Sequence, residues 1–141
     1  MSEVFVFDSG ALGALAAEDN RMRALLANIA RDGAIIRVPS VVLAECYGDP
    51  HHNARYDRAL KALGGSDRVV VATSIEIAKE AGRILKEAQM NATIDAIVVA
   101  TAAILGFPAT VITGDHTDIE ALACCVSPDI GVITLNTLPA K

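Results

Sequence analysis

Val4-Phe5-Val6-Phe7-Asp8-Ser9 is the stretch whose reading decides the fold. Four consecutive apolar residues stopped by an acid and a hydroxyl read as a buried strand, since a half-exposed strand would alternate. Ser9 is placed to cap a helix over Gly10–Ala17. Outward from there the pattern repeats. Glu18 to Arg31 is helical, with Met22, Leu25, Leu26 and Ile29 on one face, and Gly33 breaks it. Ala34–Val38 reads as strand two, and Pro39-Ser40 opens a helix carrying Val41, Val42, Leu43, Glu45 and Cys46. Gly48-Asp49-Pro50 ends that helix, and Asn53–Leu63 forms the next. After the turn Gly64-Gly65-Ser66, Val69-Val70-Val71 is a third strand. Thr73-Ser74-Ile75-Glu76 has the form of a capping box for a helix reaching about Gln89. Asn91 and Thr93 are cap candidates for an apolar helix over Ile94–Leu105, closed by Gly106 and Pro108. Thr110–Thr113 is strand four, Gly114-Asp115-His116 a loop, Thr117-Asp118-Ile119-Glu120 a second capping box, and Gly131–Thr134 strand five.

Apolar strands with helices between them predict an α/β fold: a parallel sheet of four to five strands, covered on both faces, with right-handed crossovers. At 141 residues the chain is expected to be a single domain, 1–141. With 52% hydrophobic and 21% charged residues a packed core is easy to build and disorder is not expected. Aromatics are only 4% and Trp is absent, so Val, Ile, Leu and Ala must supply the core. No apolar run reaches the ~18 residues of a spanning helix, and the first residues lack the basic region and cleavage site of a signal peptide. The expectation is a soluble, cytoplasmic protein with no membrane partner. A net charge of −5 argues against nucleic acid held on a broad basic surface, but not against brief contact at a metal site. Cys46, Cys124 and Cys125 fit neither a disulfide framework nor a zinc spacing and read as buried free thiols.

In open α/β sheets the working site lies outside the carboxyl ends of the strands. Asp8 follows strand one and Asp115 closely follows strand four, so both fall at that edge. Glu45 lies one turn into the helix after strand two, and Asp95 in the first turn of the helix that starts near Asn91 or Thr93. Each acid also has a local explanation as a cap, an Asx turn or a helix-dipole partner. Their neighbours argue for more. Asp8 follows four core-type residues, Glu45 follows Val-Val-Leu-Ala, and Asp95 precedes Ala-Ile-Val-Val-Ala. Carboxylates framed this way must be paired, protonated or bound to cations, and no Lys or Arg lies near them in sequence. An oxygen-only cluster suits Mg²⁺ or Mn²⁺, and the chemistry such a metal serves here is phosphodiester hydrolysis.

Taken together, Val-Phe-Asp8-Ser-Gly-Ala-Leu, Val-Pro-Ser-Val-Val-Leu-Ala-Glu45-Cys, Thr93-Ile-Asp95-Ala-Ile-Val-Val-Ala-Thr-Ala and Val-Ile-Thr-Gly-Asp115-His-Thr-Asp118-Ile resemble a PIN-domain ribonuclease. Their order and spacing over nearly the whole chain are similar to bacterial VapC-type toxins. The resemblance implies a three-layer α/β/α fold and a Mg²⁺- or Mn²⁺-dependent endoribonuclease acting on RNA. It also implies a VapB-type antitoxin partner and a homodimer. By position, Asp8, Glu45, Asp95 and Asp115 match the acidic quartet, with Asp118 an accessory acid, all five expected at the metal. Ser9 matches the usual small hydroxyl residue. His116 stands where a basic residue is frequent.

Other readings carry less. Adjacent His51 and His52 point apart and do not easily share an ion. His116 is a candidate phosphate contact, and Arg55, Arg58 and Lys61 form a basic stripe, either a solvated face or a phosphate track. No Gly-x-Ser-x-Gly elbow supports a Ser9 triad, and no phosphate-binding glycine loop is present. An aspartyl nucleophile at Asp8 lacks its usual partner acid, because position 10 is Gly. Two alternatives stay open: a housekeeping PIN nuclease in RNA processing, and a non-catalytic module whose acidic edge receives a basic peptide.

Overall fold

The computed structural model describes residues 3–106, 108–114, 117–126 and 130–138, and only the backbone of Thr117 and Thr137. β1 (Val4–Phe7) is buried along its whole length, as four uninterrupted apolar residues require. It pairs on one side with β2 (Ile35–Pro39), which pairs with β3 (Val70–Val71), and on the other with β4 (Ala109–Thr113), which pairs with β5 (Ile130–Thr134). The sheet order is β3-β2-β1-β4-β5 and every pair is parallel. Val4 sits opposite Ile35 and Ala109, and Phe7 opposite Ile112.

Eight helices among the described residues fill the crossovers. α1 (Ser9–Ala16) and α2 (Asn20–Arg31) join β1 to β2; α3 (Ser40–Cys46), α4 (Pro50–Ala62) and α5 (Ser66–Val69) join β2 to β3. α6 (Ile75–Ala88) and α7 (Thr93–Leu105) join β3 to β4, and α8 (Thr117–Ala123) lies between β4 and β5. α1 packs on α2, α3 and α4, while α6, α7 and α8 pack on one another. The sheet is extended one way from β1 to β3 and the other way from β4 to β5. Right-handed crossovers therefore put the two helix groups on opposite faces, which gives the α/β/α layering.

Phe7, Leu12, Met22, Ile84, Ile112 and Leu122 are among the side chains removed from solvent. Burial of each contributes ~1.5–3 kcal/mol. α7 buries Ala96, Val98, Val99, Ala100 and Ala102 and packs on β1 and β4, so the turn carrying Asp95 is held against the centre of the sheet. No single helix among the described residues is long and apolar enough to cross a membrane.

Several boundaries depart from the sequence expectation. Asp8, not Ser9, caps α1, because the extended backbone at the strand end (ψ −176°) swings its carboxylate under the Ala11 N–H. α4 starts at Pro50 rather than Asn53: Asp49 accepts from the His51 N–H, and Pro50 occupies the first turn, where its missing N–H costs nothing. Neither Asn91 nor Thr93 caps α7; Ala92 holds that position without a side-chain bond. Ser74, not Thr73, caps α6. The short helix α5 was not expected. The thiols are less buried than composition suggests: Cys124 is exposed, Cys46 and Cys125 intermediate.

Candidate active site

The sheet order reverses direction between β1 and β4, so the crevice outside their carboxyl ends is the topological switch point. The two strand ends are drawn tightly together there. A Cβ on Gly10 would lie 2.9 Å from the Gly114 Cα, and one on Gly114 would lie 2.9 Å from the Gly10 carbonyl carbon. Only glycine at both positions permits this approach. The signal was present in the sequence as a glycine two residues after Asp8 and another directly before Asp115, but nothing local paired them.

Asp8 lies at the mouth of this crevice and is 7% exposed. Its backbone N–H extends the ladder to the Ile112 carbonyl at 3.1 Å, and the Ala11 N–H donates to its Oδ1 at 2.8 Å. Burial raises its pKa above the ordinary aspartate value; hydrogen bonds from Thr113, Ala11 and Gly114 oppose that, and the charge of Glu45 adds to it. Thr113 is thus a site residue that sequence reasoning missed. It is wholly buried at the end of β4, one strand over from Asp8.

Asp95 sits in the first turn of α7 and its pKa is pushed up to about 6, first by burial and then by the charges of Asp8, Glu45 and Asp118. The fold therefore gathers four of the five expected acids. Glu45, exposed on α3, and Asp95 line a shared cavity of about 280 Å³ with Asn91. Asp118 is exposed in the first turn of α8. Asp115 and His116 lie outside the described residues. Ser9 is the first residue of α1, and its carbonyl accepts a long contact from the Cys46 Sγ at 3.9 Å, tying α3 to α1 beside the acids. Burial raises the Cys46 thiol above its usual pKa, so it stays protonated as a packing group.

None of the four acids forms an ion pair with Lys, Arg or His among the described residues. Three of them raise the pKa of the fourth, which is the electrostatic state a cation relieves. The donor set is oxygen only and fits a hard divalent ion. Among the described residues no three of these side chains lie close enough together to hold a metal ion by themselves; Asp115 lies outside those residues.

A PIN domain model matches residues 5–123. The chain belongs to the PIN domain family. Comparison with the sequences of curated proteins finds no match. Among solved structures the chain is similar to VapBC2 from Rickettsia felis, in a crystal structure with a DNA fragment from their promoter: TM-score 0.67, 14% identity, 93% of this chain and 98% of that one. It is also similar to a toxin-antitoxin complex from Klebsiella pneumoniae (TM-score 0.66, 20% identity, 92% and 96% covered). A third similar structure is FitAcB from Neisseria gonorrhoeae (TM-score 0.64, 18% identity, 95% and 99% covered). At these identities the likeness is one of fold.

The basic residues of this PIN domain divide. Arg55 and Arg58 line a cavity between α1, α2 and α4 together with Arg23 of α2, which sequence spacing did not connect to them. Lys61 is exposed in the last turn of α4 and does not line it. His51 and His52 are exposed in the first turn of α4, and His52 Nε2 lies 3.5 Å from Asp49, which explains it as a partner of the cap.

Proposed function

We propose that this PIN domain is a metal-dependent endoribonuclease, and that it acts as the toxin of a toxin–antitoxin pair. The observation that carries the nuclease reading is the convergence of Asp8, Glu45, Asp95 and Asp118 at the β1/β4 switch point, with none of them ion-paired to a cationic side chain among the described residues. Mg²⁺ or Mn²⁺ held by these acids, with Asp115 completing the set, supplies Lewis acidity toward water and the scissile phosphate. The chain's own contribution is positional. Asp8 is fixed by its cap and by Thr113, Asp95 by the buried face of α7, and Glu45 by α3. Ser9 and His116 are placed next in sequence to two of the acids to meet the RNA backbone.

The toxin reading is supported by the fold shared with a protein described as a toxin–antitoxin complex and with VapBC2. Its expected partner is a VapB-type antitoxin whose Arg- or Lys-rich segment covers the acids, by charge complementarity with a group of carboxylates. A cytoplasmic homodimer completes the proposal. The test is direct. Purified protein should cut single-stranded RNA with Mg²⁺ or Mn²⁺ and stop in EDTA; full-rate cleavage in chelator, in a preparation free of other nucleases, refutes the metal-dependent reading. Association in pull-down with a small protein from the adjacent reading frame, and rescue of growth by its co-expression, supports the toxin role. A nuclease that associates with no such protein is a housekeeping enzyme.

A further inference from the structure

Arg23 on α2 and Arg55 and Arg58 on α4 converge on one cleft of about 250 Å³, floored by Leu15 of α1 and Ala59 of α4, with Glu18 its one acid. None of the three guanidiniums has an ion-pair or hydrogen-bond partner among the described residues. Of the other five arginines, four have partners: Arg21 pairs with Asp19, Arg83 with Glu80 and Glu87, Arg31 donates to Asn28 and Arg37 to the Ile36 carbonyl; Arg68 is unpartnered among the described residues too, but does not line the cleft. Three unpaired cations around one concavity on a chain of net charge −5 mark a place for an anion. Guanidinium forks match the oxygens of a phosphate.

The cleft sits at the far end of the helix that begins at the acids. Asp8 caps the start of α1, and Leu15 and Ala16 at its end line the cleft. At ~1.5 Å per residue that separation is about 12 Å. It exceeds the ~8 Å Debye length at physiological salt, so the arginines act on a strand passing them rather than by neutralising the acids. The acids by themselves repel a phosphodiester. A strand delivered to them needs cations within its own run, and these are the ones the fold places there. An acidic peptide would find no reason to lie along α1 toward a group of carboxylates.

We propose that the Arg23/Arg55/Arg58 cleft is a phosphate-binding subsite that anchors the backbone of single-stranded RNA on its way to the acidic site. This rests on the nuclease reading, and the test separates the two. Binding of a fluorescein-labelled, unstructured single-stranded RNA is followed by anisotropy across a salt series in EDTA. Arg23→Gln/Arg55→Gln/Arg58→Gln is compared with Arg68→Gln/Lys79→Gln/Lys86→Gln, which removes three charges elsewhere. The cleft variant should bind at least about tenfold more weakly, with the log–log salt slope reduced by about 2, while the control keeps wild-type binding. In Mn²⁺ its KM for long RNA should rise, with kcat on a dinucleotide too short to span the ~12 Å left unchanged. Equal weakening in both triple variants means net charge, not a site, and overturns the proposal. So does unchanged RNA binding in the cleft variant, including the case in which binding of a Glu-rich peptide is what it loses. A wild type that cuts RNA while the cleft variant binds it normally sinks only the subsite; a wild type that cuts no RNA in any metal sinks the nuclease reading. If the triple variant fails to fold by circular dichroism, Arg55→Gln and Arg55→Lys serve instead, Lys restoring the charge and part of the affinity.

Discussion

Replacing Asp95 with Asn should make the metal-free protein more stable at neutral pH and no more stable in acid. The carboxyl pKa rises from 3.8 to about 6 on folding, through burial first and then through Asp8, Glu45 and Asp118. A rise of ~2 units is ~3 kcal/mol against the charged form. Asp95 is only partly buried, and screening by solvent reduces this to about 1–2 kcal/mol. Asn forfeits the attraction of an acid to the α7 N-terminus, ~0.3–1 kcal/mol. The net gain is about 1 kcal/mol, or ~3 °C in Tm for a chain of this size. The sign follows from proton linkage. Between 3.8 and about 6 the folded chain holds the proton more tightly than the unfolded one. The penalty is therefore absent below that window, grows through it, and is complete above it. Thermal melts in EDTA should show Asp95→Asn above wild type at neutral pH, and the advantage should vanish at about pH 4. Adding Mn²⁺ should raise the wild-type Tm and raise that of the variant less. An Asn variant that melts below wild type by the same margin at both pH values would mean that Asp95 is an ordinary helix N-terminal charge, and the reasoning fails.

Asp8→Ala should lose about 1 kcal/mol more unfolding free energy than Asp8→Asn, read from denaturant titrations, because Asn keeps an acceptor for the Ala11 N–H; neither should cut RNA. Gly114→Ala drives a Cβ to 2.9 Å from the Gly10 backbone and should cost ~1–3 kcal/mol along with cleavage, measured by melting and RNA digestion. Gly82→Ala is the matched control: its Cβ meets nothing within 4 Å in the middle of α6, and it should stabilise by ~0.5–1 kcal/mol. Thr113→Val removes a hydrogen bond that holds the Asp8 pKa down, so the acidic limb of the pH–rate profile should move to higher pH.

The strands were legible because the covered sheet leaves a simple trace: an uninterrupted apolar run at Val4–Phe7 and a wholly β-branched run at Thr110–Thr113, each followed by Gly or an acid. Helix starts were less so. Ser9 and Asp8 are both good caps by residue type, and the choice rests on backbone torsion at the strand end, which residue type does not encode. A four-residue helix such as α5 is shorter than the period by which helices are recognised. The same divide runs through the site. Asp8, Glu45 and Asp95 stood out because an acid inside an apolar run demands an explanation. Thr113 and Gly114 did not, since their roles exist only once β4 lies beside β1. Arg23 and Lys61 exchange places for a like reason: α4 offers Arg55, Arg58 and Lys61 at regular spacing, but the packing of α1, α2 and α4 decides which cations share a cleft.

A group of acids without basic partners among the described residues still has to be tolerated by the fold, and helix ends supply part of the answer. Asp8 caps α1, while Asp95 and Asp118 lie in the first turns of α7 and α8. Each helix start carries partial positive charge, worth ~0.3–1 kcal/mol to a nearby carboxylate. α7 adds to this by having no side-chain cap, which leaves its N–H groups without a competing acceptor. Repulsion between two carboxylates at ~4 Å is roughly 1–4 kcal/mol across effective dielectrics of 80 to 20. The helix ends thus offset one acid's share of the repulsion but not the whole, and what is left adds to burial, the larger cause, in raising the pKa of Asp95. A lysine or arginine among the acids would have removed that remainder and with it the attraction for a divalent ion. Among the described residues no cation pairs with these acids at the β1/β4 crevice, and Arg23, Arg55 and Arg58 lie a helix-length away.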